Sequence, residues 1–165
     1  MHTLIVMNKS EYRANMEKLV VDSANKYKKA CYISFSDPYH IVIELLQNAN
    51  IGEEKFIVIE ASGEVKESKA ISKTTYIVPV KDLFKVYLFL RNLIQDEGIE
   101  ILLLDSISAL IYRYSELPLK QMLTDLLLDV GTFRCNSSIV VFNEHANHEV
   151  ITHLNPLIGK SQFIY

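Results

Sequence analysis

"EILLLDSISALI", residues 100–111, is the stretch that sets the reading of this chain. Four apolar residues run without interruption to Asp105, which predicts a strand, Glu100–Asp105, buried on both faces beneath covering helices. An aspartate at the end of such a strand, followed by the small polar residues Ser106 and Ser108, admits two readings. It can hold magnesium, directly or through water, beside a bound nucleotide. It can equally anchor a turn, with the two serines bonding nearby backbone.

Working outward, short β-branched and apolar runs alternate with longer helical patterns. Strands are expected at Thr3–Met7, Ala30–Phe35, Phe56–Glu60, Tyr76–Pro79, Ser137–Phe142 and Ser161–Tyr165. Helices are expected at Glu11–Lys28, Pro38–Ala49, Lys81–Glu97 and Glu116–Val130. Asp37 is placed to cap the second of these with Pro38 at its first position, while Gly98 and Gly131 mark the ends of the third and fourth. This alternation predicts one three-layer α/β/α domain over residues 1–165, with a mostly parallel central sheet. The polar stretch "ASGEVKESKAISKTT", residues 61–75, is expected to be a surface excursion. Ligands of open α/β sheets sit at the carboxyl ends of the strands. The functional questions therefore fall on Asn8–Ser10, Ser36–Asp37, Ala61–Gly63, Asp105–Ser108 and Asn143–His145.

The totals narrow the classes. With 165 residues and 49% hydrophobic content the chain can build a substantial core. A net charge of −3 gives no basic footprint, which argues against nucleic acid as a partner, although Lys66, Lys69 and Lys73 could form a small patch. The two cysteines, Cys31 and Cys135, lie in apolar runs and read as small buried residues. No basic stretch leads into an apolar core at the N-terminus, and no run approaches the roughly 18 apolar residues of a membrane span. The expectation is a cytoplasmic protein.

"KKACYISFSDP", residues 28–38, adds a second informative stretch. Together with "DSISAL" it resembles the KaiC-like branch of the RecA superfamily of ATPases. In that family a strand similar to "YISF" precedes acidic residues that activate water. A later strand ends in Asp-Ser before a hydroxyl–Ala–Leu turn, and a further strand ends near an acidic residue, as "SIVVFNEH" does at 138–145. The resemblance implies a RecA-like fold, a nucleotide site at the strand ends, assembly through neighbouring subunits, and signalling or regulatory work in a microbial cell.

Two departures bear on the activity it implies. The family's first strand enters a G-x-x-x-x-G-K-[ST] loop whose glycines let backbone N–H groups wrap phosphates. Here that place reads "VMNKSEYRAN", residues 6–15, and no glycine precedes Gly52. Asn8 and Glu11 have the spacing of a capping box, which would set the protein's own anion at the helix end where phosphate docks. Lys9 and Ser10 then read as turn and cap residues. Where the family carries two glutamates after "YISF", this chain has Ser36 and Asp37. The expected function is accordingly a non-catalytic, pseudo-ATPase domain with a degenerate Walker A loop and no cofactor, serving as a regulatory or scaffolding module. The alternative is a divergent nucleotide-binding protein or weak ATPase taking ATP and magnesium, with Asp105 for the metal and Asp37 as base. Lys9, Ser10, Asp105 and Ser106 would be its vestigial nucleotide site.

Two stretches remain. "NEHANHEVITH", residues 143–153, holds His145, His148 and His153, three of the five histidines, and would align His145, Glu149 and His153 if helical. The spacing matches no metal-ligand motif, and a solvated helix or loop is expected. Helix Lys81–Glu97 is more apolar than one buried face requires. Leu83, Val86, Tyr87, Leu90, Leu93 and Ile94 form the stripe, with Phe84 and Phe89 at its edges and Leu88 in the polar arc. Burial beneath the 61–75 excursion competes with docking of a protein partner or a second copy.

Overall fold

Buried parallel strands need both faces covered, because helical crossovers alternate with them in the chain. The computed structural model, which describes residues 1–61 and 65–164, has this arrangement. In chain order the strands and helices are β1 (His2–Met7), α1 (Tyr12–Lys26), β2 (Ala30–Ser34), α2 (Tyr39–Asn48), β3 (Phe56–Glu60), β4 (Lys69–Ala70), β5 (Thr75–Ile77), α3 (Leu83–Glu97), β6 (Ile101–Asp105), α4 (Ile107–Arg113), α5 (Glu116–Thr132), β7 (Asn136–Phe142), α6 (Glu149–Leu154) and β8 (Lys160–Ile164). The sheet order is β4-β5-β3-β2-β6-β7-β1-β8. Among the described residues every pairing is parallel except β4 with β5.

Strand alternation divides the core in two. Ile101 and Leu103 face one side, where Met16 and Val20 of α1 and Val42 and Leu45 of α2 cover them. Leu102 and Leu104 face the other, against Leu90 of α3, Leu123 and Leu126 of α5, and Ile151 of α6. The fold is thus three-layer α/β/α, as expected from the sequence. Gly98 ends α3 with a φ of 63°, the left-handed conformation that a side chain would resist.

Local departures have local causes. The capping box is not formed. Residues Lys9–Glu11 make a single 3-10 turn before α1, so Glu11 sits at the helix cap rather than inside it, and the Asn8 side chain caps nothing. Asp37 does not cap α2 either. Pro38 takes the cap position, and the Glu60 carboxylate at the end of β3 accepts from the Tyr39 N–H at 2.9 Å. Helix α4 stands where a turn is expected after Asp105, and α6 takes up the helical reading of the histidine stretch only from Glu149, with a buried face. Their buried residues, Ile107 with Leu110 and Val150 with Ile151 and Leu154, recur at helical spacing inside polar surroundings. Strand β5 stops at Ile77 and so excludes Pro79, which has no N–H to donate. Within the 61–75 stretch, Lys69 and Ala70 pair with Ile77 and Tyr76. The expectations for Ser62, Gly63 and Tyr165 lie outside the described residues.

Candidate functional site

The chain leaves β2 through α2 on one face toward β3, and leaves β6 through α5 on the other face toward β7. Between β2 and β6 the winding therefore reverses. Such a switch point opens a crevice at the carboxyl ends of the strands. β1, β2, β3, β6 and β7 all run parallel and end on this edge, which gathers Asn8–Ser10, Ser36–Asp37, Asp105–Ser108 and Asn143–His145.

Asp105 closes β6 and is 0% exposed. Its Oδ2 accepts hydrogen bonds from the phenols of Tyr12, at the start of α1, and Tyr32, in the middle of β2. Its Oδ1 has no hydrogen-bond partner among the described residues. Burial pushes the Asp105 carboxyl up to about 6 against the opposing pull of the two phenols, and the charge of Asp37 adds to the rise. Tyr32 is itself raised well above the ordinary phenol range, first by burial and then by the neighbouring carboxylate. Sequence reasoning missed both tyrosines. The usable signal lay in "YISF", since a tyrosine in a strand buried on both faces must find a partner for its hydroxyl.

Lys9 lies apart, at the exposed corner between β1 and β7. Its Nζ donates to Glu144 Oε1 at 2.6 Å and stands 5.3 Å from the centroid of the Phe142 ring. Tyr112 donates to the same Glu144 oxygen at 3.0 Å. Hydrogen bonding to each other raises Lys9 above the usual amine range and holds Glu144 below the usual carboxylate range. Ser10 is exposed in the 3-10 turn. Ser106 is buried, and its hydroxyl is unpartnered among the described residues.

Asp37 is held firmly by its backbone. Its N–H donates to Ser34 Oγ at 2.9 Å, and Arg113 fastens the same loop by donating to the Phe35 carbonyl at 2.8 Å. Asp37 lines a cavity of about 380 Å³ between α1 and α2, whose wall includes Tyr12 and Tyr32. The structure therefore brings Asp37 and Asp105 to neighbouring places with the two phenols beside them, and leaves Lys9 and Ser10 at a separate corner.

The remaining candidates fall elsewhere. His145 is buried, not solvated, with its ring edge-on to Tyr112 at 4.8 Å, and burial lowers its basicity. α6 begins only at Glu149, after His148, so His145, Glu149 and His153 do not share one helical face. Among the described residues no cluster of three or more His, Cys, Asp or Glu could hold a metal ion. Cys31 and Cys135 are buried free thiols, and burial pushes Cys135 up to about 12. On α3, Phe89 packs edge-on against Tyr76 at 5.4 Å, whereas Phe84 remains 63% exposed. Lys66, Lys69 and Lys73 are exposed. Among the described residues no helix is long and apolar enough to cross a membrane.

The layering, the sheet order and a crevice at the β2/β6 reversal define a RecA-like α/β/α fold. Among solved structures the chain is similar to the KaiC-like protein PH0186 from the hyperthermophilic archaeon Pyrococcus horikoshii OT3, with a TM-score of 0.68 and 10% identity. That likeness extends over 99% of this chain and 73% of the other, and it is a likeness of fold. No protein-family profile and no curated protein sequence matches the chain.

Proposed function

We propose that this RecA/KaiC-like domain works without catalysis, as a regulatory or scaffolding module in cytoplasmic signalling. The observation that carries the reading is the state of Asp105. An aspartate that serves magnesium must offer oxygen lone pairs to a hydrated ion. Here Oδ2 is taken by two phenols and the whole side chain is sealed from solvent. Two further features support the reading. Lys9 spends its charge on Glu144, and the turn that holds it has none of the glycines needed for a backbone phosphate nest. The two unpaired, buried cysteines fit a reducing compartment.

A second reading, weak ATP use with Asp105 for magnesium and Asp37 as base, draws on the Asp37 carboxylate beside the cavity. One experiment separates them. Purified protein is melted with millimolar ATP, ADP or GTP, each with and without magnesium. A ligand of the native state raises the melting temperature by mass action. The non-catalytic reading expects no shift. A rise of several degrees that Asp105→Asn abolishes overturns that expectation and establishes nucleotide binding at Asp105; phosphate release that Asp37→Asn removes then establishes the second reading.

The module's partner surface is proposed to be α3, where Phe84 stands exposed beside Tyr87. Phe84→Glu is expected to weaken self-association or partner capture, measured by sedimentation, without lowering the melting temperature.

A further inference from the structure

The cavity between α1 and α2 has a definite chemistry. Met16, Ile41, Val42 and Leu45 supply an apolar wall, and the rings of Tyr12 and Tyr32 supply an aromatic one. The charged groups on the wall are Asp37 and Arg13. Arg13 is answered by Glu44 at 3.5 Å, a pair exposed on both sides. Among the described residues nothing ion-pairs with the Asp37 carboxylate, although its loop is fixed by Ser34 and Arg113. Behind the tyrosines lies a second carboxylate, Asp105, with one oxygen unpartnered. The site is therefore concave, mostly apolar, with Asp37 as its one carboxylate and a second, Asp105, behind the wall, and placed at the reversal of the winding, where α/β sheets take ligands.

We propose that this cavity binds a small organic cation, an ammonium group carried on an apolar or aromatic body. The ammonium pairs with Asp37 beside the two phenol rings, whose quadrupoles attract positive charge, and the body lies on the wall formed by α1 and α2. Other ligand classes fit less well. An anion would meet the Asp37 carboxylate on the same wall as Arg13, with the Asp105 carboxylate behind the tyrosines, and Glu60 already takes the Tyr39 N–H of α2. A zinc-type metal ion would find one carboxylate on the wall, where three or more protein ligands are usual. The inference stands apart from the non-catalytic reading, since a domain with or without nucleotide chemistry could take an amine here. For a regulatory module it identifies where a chemical signal enters.

Three probes of matched shape and different charge test it: 2-phenylethylamine, 2-phenylethanol and 3-phenylpropionate. Each is titrated into wild-type protein and into Asp37→Asn, with melting temperature and isothermal calorimetry as readouts. The amine is expected to raise the melting temperature by about 2–5 °C at roughly ten times its Kd. The alcohol and the acid are expected to give no shift, and Asp37→Asn to remove the amine's effect. Ile41→Trp, which fills the cavity from a half-buried position and leaves Asp37 intact, is expected to remove it as well. No heat and no shift with the amine at about 20 mM overturns the proposal. So does an equal shift with the alcohol or the acid, or an amine shift that survives Asp37→Asn.

Discussion

Lys9 and Asp105 stand at two corners of the same sheet edge, and they are the residue types that one nucleotide would use together. Their surroundings are opposite. Lys9 and Glu144 are 56% and 48% exposed, so their attraction works through water, costs side-chain freedom and fades with salt. Asp105 is removed from water, and its ionisation must be maintained against burial by two phenols. A lysine on a surface corner keeps its charge whether or not the chain is folded. A buried aspartate has its protonation tied to folding. The comparison shows that a motif fixes which charges are present, while burial fixes what those charges can do.

The largest expected effect is at the buried corner. Asp105 titrates near 6 in the fold and near the model-peptide value of 3.8 when unfolded. Between those values the native state holds the extra proton, so this residue makes stability fall as pH rises from about 4 to 6, and adds no slope above that. The amplitude is of order 3 kcal/mol for a shift of this size. Urea unfolding of wild type and Asp105→Asn across pH 4–7 should give curves that converge or cross through that window, with the variant gaining relative to wild type as pH rises. Parallel curves would show that Asp105 is as well solvated as Lys9, and the contrast would dissolve.

Next in size is the loss of one phenol. Tyr32→Phe leaves the ring in the core and removes a donor from an ionised, buried carboxylate, at a cost of about 1–3 kcal/mol at pH 7. Tyr12→Phe removes a donor at a partly exposed site and should cost less, about 1 kcal/mol. Denaturant midpoints at pH 7 test the order of the two. Equal effects, or none, would mean that the cluster is packing alone.

The contrast also explains what could be read in advance. Strand runs such as "ILLL" and "FIVI" announce burial on both faces regardless of partners, because periodicity is a property of the local chain. The glycine stop at 98 is legible for the same reason, since its φ is a local demand. The Tyr12–Asp105–Tyr32 cluster joins residues 93 and 73 positions apart, and nothing local marks them as partners. Capping failed for a similar reason. Asp37 has the right neighbours for a cap, yet a carboxylate 21 residues from Tyr39 along the chain reaches that N–H instead. The histidine segment misled because its polar residues concealed Val150, Ile151 and Leu154, which bury α6 and draw His145 in with it.

The smallest expected effect is at the exposed corner, and it is the most direct way to break the comparison. Lys9→Met keeps an apolar stem over the Phe142 ring and removes the ion pair with Glu144. Both partners face solvent, so each charge is rehydrated once the other is gone, and the melting temperature should stay within error of wild type at about 0.15 M salt. Glu144→Gln should behave alike, because the amide oxygen still accepts from Tyr112. Differential scanning calorimetry of both variants reads the outcome. A loss of several degrees from either would show that the corner is organised as tightly as the one around Asp105. Lys9 would then be a residue held in position for an absent ligand, which is the condition that a working phosphate site requires and a solvated surface pair does not.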